Sequence, residues 1–420
     1  MKRINIALIF ILGFMIASCG SDDSSPDDFD NQNPTAPQNL TVSNIAINSI
    51  ELNWDASTDN VGVTGYNIYR NGSLDISDNP GTSVVVSNLD EQTQYSFYVT
   101  AVDAAGNESV ASNSATATTE GTPLSFTPTL SELGFFQGAM EDLTPADDVQ
   151  LYEIRSTLFT DYAAKQRLIK LPVGQSLRYA NSDLLPLFPN NTLIAKTFFY
   201  YIDERDPALG KQIIETRVFL KLESGWLATD YVWNASMTEA FRDDVGGTVP
   251  ISYIDKNGVT ANVDYIIPSN TDCFTCHNDY NNIKPIGMKL RNLNFTPSYV
   301  GYNQLIYFTE NGLLLGVSDP TTISALPDWL NGNLSLEERS RAYMDINCAH
   351  CHSPGGSVPP GFNLDFRFET AFSQTGIYPN RGEIEARFAS TSPIYRMPQL
   401  GRTVVHQEAL NMLSAYLDSL

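Results

Sequence analysis

The sequence predicts a multidomain chain: a β-sandwich, a second β-rich domain and then an α-helical region. Three observations predict it. Between residues 37 and 120, short runs alternate apolar and polar positions with turn signals between them. Longer alternating runs follow up to residue 268, and beyond it the apolar spacing turns helical around two copies of Cys-x-x-Cys-His. The 420 residues suit several domains, and 42% apolar with 17% charged residues suffices for cores. Lys and Arg number 25 against 48 Asp and Glu, a formal charge of −23. Such a surface repels phosphate, so no nucleic acid partner is expected. No apolar run reaches the roughly 18 residues of a membrane-spanning helix.

Residues 1–18 read as a secretory signal: Lys2 and Arg3, an apolar stretch from Ile6 to Ile16, and small residues before Cys19. Ile16-Ala17-Ser18-Cys19 resembles a bacterial lipobox, which implies lipid attachment at Cys19 and a membrane contact through that lipid. Gly20 after Cys19 resembles the outer-membrane class, so the expectation is an exported lipoprotein on the periplasmic face or the cell surface. A plain signal peptide with an unmodified Cys19 stays open. Residues 19–36 carry Asp22, Asp23, Asp27, Asp28 and Asp30 with no Lys or Arg. They read as a solvated acidic tether with too little apolar surface to fold, or as a surface-export tag.

Residues 37–120 supply the sandwich. Ile50, Leu52 and Trp54 alternate, as do Tyr66 and Ile68, Val84 and Val86, and Tyr95, Phe97, Val99 and Ala101. Asn71-Gly72 signals a hairpin, and Asp103, Gly106 and Asn107 a further turn. Trp54, Gly65-Tyr66, Leu89 six residues before Tyr95, and Ala104-Ala105-Gly106-Asn107 together resemble a fibronectin type III domain. The resemblance implies a spacer, or a module that contacts a surface polysaccharide or a protein.

Residues 125–268 read as a second β-rich domain. Leu193 to Ile202, Ile213 to Leu222, Ile251 to Tyr253 and Val263 to Ile267 are strand-like, the last two joined through Asn257-Gly258. Trp226 and Tyr231-Val232-Trp233 add large apolar bodies, which read as core and alternatively as a ligand groove.

Two regions remain, 269–330 and 331–420, and each holds one motif. Cys273-Phe274-Thr275-Cys276-His277 and Cys348-Ala349-His350-Cys351-His352 share one spacing. Two thiols three positions apart can each form a thioether with a vinyl group of one porphyrin, and the next histidine can ligate its iron. Random expectation for one such pattern is about 0.0006 at this cysteine and histidine content. The expected cofactors are therefore two covalently attached haem c groups, with Cys273, Cys276, His277, Cys348, Cys351 and His352 as their binding residues. A Cys₄ zinc site and disulfides are the alternatives.

Ser335-Leu336-Glu337-Glu338 is a capping box that starts a helix running towards Cys348. His406 to Leu420 reads as a closing helix, and Met397-Pro398 lies in the loop ahead of it. This arrangement resembles a class I cytochrome c domain, which implies Met397 as the distal ligand of the second haem. For the first haem, Met288 and His406 are candidate ligands; His350 is a further rival, and an open iron position stays possible. Further stretches are Leu133-Gly134-Phe135-Phe136, Asp161-Tyr162-Ala163, Glu215-Thr216-Arg217, Tyr231-Val232-Trp233-Asn234, Pro285-Ile286-Gly287, Asn347 to His352 and Met397 to Arg402. They resemble an exported dihaem c-type cytochrome family with a β-rich front portion. That resemblance implies an electron-transfer protein working with unspecified redox partner proteins. Two other functions are kept beside it. One is a haem enzyme, such as a dihaem peroxidase or small-molecule dehydrogenase, with one open iron. The other is a surface polymer-binding protein with accessory haem.

Overall fold

A computed structural model describes residues 30–359 and 361–420. The signal segment, Cys19 and most of the acidic tether lie outside the described residues. The chain is multidomain and β-rich, and its contacts divide it into two compact units. One unit holds most of residues 30–117, and the other holds the chain from Thr118 to Leu420 together with two short segments, Ile45–Ser49 and Ser87–Gln94.

In the first unit β1 (Gln38–Ser43), β2 (Ile50–Asp55) and β5 (Ser83–Val86) form one antiparallel sheet. Strands β3 (Val63–Arg70), β4 (Ser73–Asn79), β6 (Gln94–Asp103) and β7 (Ala115–Thr118) form the other, in the order β4-β3-β6-β7. Period-two alternation puts Ile50, Leu52, Trp54, Tyr66, Ile68, Phe97, Val99 and Ala101 inside. The Trp54 and Tyr66 rings meet edge to face at 5.3 Å. The end of the expected tether is ordered against this unit: Thr35 N donates to Thr58 O at 2.9 Å, and Pro34 is buried. Backbone pairing therefore holds residues that composition alone would leave in solvent.

The second unit is built on a six-stranded antiparallel sheet. Its strands are β8 (Val149–Leu151), β9 (Ala164–Lys170), β11 (Leu193–Tyr201), β12 (Lys211–Leu222), β13 (Gly225–Trp233) and β14 (Ala240–Asp243), ordered β14-β13-β12-β11-β9-β8. The short β10 (Leu177–Arg178) pairs elsewhere, with β19 (Leu314–Leu315). One face of the large sheet is apolar: Leu168, Ala195, Val218, Leu220, Tyr231 and Trp233 pack with Leu130, Phe135 and Leu143 from the preceding segment. The other face is divided. Ile169, Ile194 and Phe219 pack under Met288, Leu290, Leu293, Leu305 and Phe308. Phe198 and Tyr200 pack under the hairpin of β15 (Gly247–Ile254) and β16 (Thr260–Ile267), through Ile251, Tyr253, Val263 and Tyr265.

After β16 come α1 (Asn270–His277), the small hairpin β17 (Asn278–Asp279) and β18 (Asn282–Ile283), α2 (Leu290–Leu293) and α3 (Gln304–Glu310). The apolar spacing alone predicts a helix from Ser298 to Glu310, longer than α3. Helix α3 begins later because the Asn303 side chain accepts from Leu305 N and Ile306 N and fixes the start there. Three longer helices close the chain: α4 (Leu336–Asn347), α5 (Ile377–Ala389) and α6 (Gln407–Asp418). Ser335 and Glu338 form the capping box of α4. Trp329, Tyr343, Met344, Phe366, Ile377, Phe388, Met412, Leu413, Tyr416 and Leu417 form the core among these helices. Long irregular segments separate the helices, so this region is less helical than the sequence suggested. Among the described residues no helix is long and apolar enough to cross a membrane.

Candidate functional site

Helix α1 is short and polar, so its start depends on its cap. Ser269 accepts from Asp272 N, and the Asp272 carboxylate accepts back from Ser269 N. The helix carries Cys273, Cys276 and His277 and packs against β13. The β17–β18 hairpin then returns Lys284 beneath the last turn, where its carbonyl lies 2.7 Å from His277 Nδ1. A carbonyl only accepts, so Nδ1 carries the proton and Nε2 keeps its lone pair. Desolvation by the surrounding core pushes His277 down to about 3, which keeps the ring neutral. Phe219 lies against it, 4.5 Å between ring centres.

The second motif continues from α4. Cys348 N and Ala349 N both donate to Met344 O, and Cys351 N and His352 N to Cys348 O, so the motif coils directly off the helix end. His352 sits 5.0 Å from the Phe366 ring, and burial lowers it to about 4. Its Nδ1 is buried with no hydrogen-bond partner, as is that of His350. Burial pushes the Cys273 and Cys348 thiols up to about 12, so both are neutral S–H groups. All four thiols are free.

The two motifs touch, although 75 positions separate them. Ser357 Oγ donates to Thr275 O at 2.5 Å, Cys351 Sγ lies 3.7 Å from the same carbonyl, and Tyr280 N donates to Gly355 O at 2.9 Å. This close approach favours glycine at 355, where φ is +86° and a Cβ would lie 2.5 Å from the Tyr280 ring, while Gly356 lets the loop fold back on its own motif, a Cβ there lying 2.3 Å from Cys351 O. Cys276, His350 and Cys351 bring one ligand atom each within 4.8 Å of one another. The hydrogen bond from Cys351 is the largest cause lowering Cys276 well below an ordinary thiol, and the same contact raises Cys351. Cys273 and Cys348 stand outside this group among the described residues, so the four sulfurs do not gather as a Cys₄ zinc site would need.

A cleft lies at the first motif, with about 810 Å³ of empty space that includes its open mouth. Cys273, Cys276, His277 and His350 line it, with Lys196, Arg217 and Asp230 from the sheet and Pro398, Leu400 and Gly401 from the loop ahead of α6. The chain around Met397 thus reaches the first motif as well as the helical core, whereas the sequence placed it at the second. Met288 is fully buried among Tyr152, Ile154, Leu290 and Leu293. His406 stands in an aromatic cage: its ring stacks on Phe159 at 4.1 Å, and its Nδ1 is 2.9 Å from Tyr343 Oη. Neither Met288 nor His406 lines the cleft.

Of the sheet residues of the cleft, the sequence marks Arg217, within the stretch Glu215-Thr216-Arg217, but neither Lys196 nor Asp230. Arg167, Lys196, Arg217 and Asp230 are directly opposite one another on β9, β11, β12 and β13. Directly paired residues share a face, so these four form one charged row between the two apolar halves of that face. Desolvation pulls Lys196 down to about 7 and pushes Asp230 well above an ordinary carboxyl group. Arg217 binds Glu215, and both oxygens of the fully buried Asp230 have no hydrogen-bond partner. Alternation of Ile214, Thr216 and Val218 with Glu215 and Arg217 was the available signal, but it reads as core against solvent rather than as two buried faces.

Comparison with known proteins identifies one part of the chain. The fibronectin type III domain profile matches residues 35–118. The chain is 47% identical over 100 residues to chitinase Chi52 of Paenibacillus xylanexedens, covering 24% of this chain and 18% of that protein. It is 47% identical over 90 residues to chitinase A1 of Niallia circulans, covering 21% and 13%. With chitinase D of the same organism it shares 52% over 80 residues, 19% and 15% of the two chains. The chain spans less than a fifth of the length of these relatives. Among solved structures, chitinase ChiA74 from Bacillus thuringiensis aligns at a TM-score of 0.20 and 24% identity, over 41% of this chain and 20% of that one. These findings correct the expectation of an electron-transfer protein of the cytochrome c kind: the relatives found include chitinases, an alpha-amylase of Niallia circulans and two exoglucanases of Cellulomonas fimi. What similarity establishes is a fibronectin type III domain over residues 35–118.

Proposed function

We propose that this chain is an exported polysaccharide-binding protein whose sandwich contacts the polymer and whose carboxy-terminal part carries two covalently attached haems as accessory groups. The single observation that carries the polymer reading is the 47% identity with chitinases over a stretch the length of the matched domain. The surface of that unit supports it. Tyr69 and Tyr98, opposite each other on β3 and β6, lie nearly parallel, 4.6 Å apart and 11° between planes. Beside them Asn67, Tyr69 and Thr100 all donate to Glu108 Oε1. Half-exposed aromatic rings next to fixed polar groups match the apolar face and hydroxyl edge of a sugar.

The residues present fit haem. Four free thiols stand in two Cys-x-x-Cys-His turns, each beside a neutral imidazole. The Lys284 carbonyl orients His277 as an outer-shell partner orients a ligating histidine. Cys273, Cys276 and His277 would hold one group, and Cys348, Cys351 and His352 the other. Met397 is the proposed further ligand on the second haem. When bound, the groups supply oxidation–reduction chemistry at iron. The cytochrome c-like character of the helical region belongs to this proposal, as does lipid anchoring through Cys19 at the outer membrane.

A second reading, a haem enzyme acting at an open iron position, draws on the cleft, whose lining includes His277 and His350 but neither Met288 nor His406.

The test uses full-length protein made in cells that attach haem. Retention on insoluble chitin, and a pyridine spectrum of two haems per chain, are expected. Passage through chitin, cellulose and other insoluble polysaccharides alike would overturn the polymer reading, and a haem-free product the cofactor. Rapid cyanide binding by resting protein would favour the second reading.

A further inference from the structure

The charged row, of which Lys196, Arg217 and Asp230 line the cleft, has an imbalance that calls for a ligand. On this part of the sheet face, strands β9, β11 and β12 supply Lys165, Arg167, Lys196 and Arg217, while β12 and β13 supply Glu215 and Asp230. Lys196 is paired with Arg167 on one side and Arg217 on the other, so three cations stand side by side across three strands. Like charges directly opposite one another destabilise a sheet, and burial strengthens the repulsion by lowering the effective dielectric.

The available carboxylates do not offset it. Glu215 is engaged by Arg217 and by Tyr265 Oη. Asp230 comes only within 3.9 Å of Arg217 Nε. Among the described residues Lys196 enters no ion pair and rests over the Phe198 ring at 4.8 Å, while Arg167 Nη2 is buried without a partner. Lys196, Arg217 and Asp230 all line the cleft that also holds Cys273 and Cys276. A half-buried lysine without an ion pair, beside an arginine whose one carboxylate partner is shared with Tyr265, gives this cleft a receptor for negative charge.

We infer that this cleft is a carboxylate-binding site, in which Lys196 and Arg217 receive the anionic group of the ligand. Two sources carry that chemistry. One is the pair of carboxylates on a haem held by Cys273 and Cys276, and this arm rests on the proposed cofactor. The other is a uronic acid unit of an acidic polysaccharide. Arg217 offers a planar fork for a carboxylate and Lys196 a point charge beside it. Asp230, a buried carboxyl group at the same wall, discriminates between a ligand that brings a hydrogen bond and one that brings charge alone.

The experiment compares full-length wild type with Lys196→Met, each made in cells with and without haem-attachment machinery. In haem-loaded protein, removing this cation lowers the midpoint potential of one haem and leaves the other in place. In haem-free protein, titration with sodium glucuronate and with glucose shows binding of glucuronate alone, about tenfold weaker in the variant. Lys196→Arg restores either response, which separates lost charge from a damaged fold. The first response assigns the site to haem carboxylates and the second to an acidic sugar. Silence of Lys196→Met in both arms overturns the site whatever the haem content. A chain that never acquires haem overturns the cofactor while leaving the glucuronate arm to decide this inference.

Discussion

Lys196 on β11 and Arg217 on β12 stand directly opposite each other, two cations paired across neighbouring strands. Both rest on one ring: Phe198 lies 4.8 Å from Lys196 Nζ and 4.4 Å from the Arg217 guanidinium carbon. Aromatic contact with each cation contributes about 0.5–2 kcal/mol, which softens their repulsion without removing it. The sheet therefore presents net positive charge beneath α1, in a chain whose total charge is −23.

A second buried charge cluster holds the helical region to the rest of its unit, and it is balanced. Asp345 on α4 is fully buried and accepts from Lys289 Nζ and Arg291 Nη2, both at 2.8 Å; Arg291 also reaches Glu369 at 2.7 Å. Asp345→Ala leaves a buried guanidinium short of its counter-charge. The expected loss is about 3–5 kcal/mol, read from denaturant unfolding midpoints. A loss under about 1 kcal/mol would mean that solvent reaches this cluster and replaces the carboxylate.

Much of the scaffold was legible because local signals and tertiary packing agree. Ser335 to Glu338 names its own helix start, and Ile50, Leu52 and Trp54 name a buried strand face. Helix α5 is hard to see in the sequence because Pro379 and Gly382 both disfavour a helix interior. Pro379 is tolerated in the first turn, where its missing N–H has no partner to lose, and Ile377 and Phe388 anchor both ends in the core. The motif spacings were legible, but their mutual contact was not, since no local pattern records that Thr275 meets Ser357. The charged row was hidden for a different reason. Its members stand on four strands, and only the register brings Arg167, Lys196, Arg217 and Asp230 into line.

His406 makes stability depend on pH. Burial lowers its folded-state value from the ordinary 6.5 to about 4, within a cage of Phe159, Tyr162, Trp329 and Tyr343, with Glu408 Oε2 4.0 Å away. Between those two values the unfolded chain binds the proton that the folded chain refuses, so stability falls as pH drops from about 6.5 to about 4. The slope reaches at most about 1.4 kcal/mol per pH unit. Unfolding midpoints at pH 7, 5.5 and 4.5 should fall less steeply in His406→Gln than in wild type. Equal slopes would remove His406 as the source.

Gly356 sets how tightly the second motif's loop folds back on Cys351, just before Ser357 reaches Thr275 of the first motif. Gly356→Ala places a Cβ against the Cys351 backbone carbonyl rather than against a flexible side chain, so the loop has to move. Overpacking of this kind costs about 1–3 kcal/mol. The shift should also free Thr275 O from Ser357, and amide exchange around residues 353–358 should rise while that of α4 stays unchanged. Unaltered exchange in that loop would show that the glycine is dispensable.

The sandwich surface gives the most direct check on polymer contact. Tyr69 and Tyr98 are half-exposed, and their rings support each other across β3 and β6. The buried core on the opposite face, Ile68, Phe97 and Val99, does not depend on them. Tyr69→Ala removes one ring and the hydroxyl that donates to Glu108 at 2.9 Å, at a stability cost of about 1–2 kcal/mol. The fold should survive, with an unchanged circular dichroism spectrum. Retention of the full-length chain on insoluble chitin should fall about tenfold, the equivalent of about 1.4 kcal/mol of binding, and Tyr69→Phe should keep most of it because the ring face remains. Loss in Tyr69→Phe as large as in Tyr69→Ala would assign recognition to the hydroxyl and Glu108. Full retention in both variants would move polymer contact away from this face.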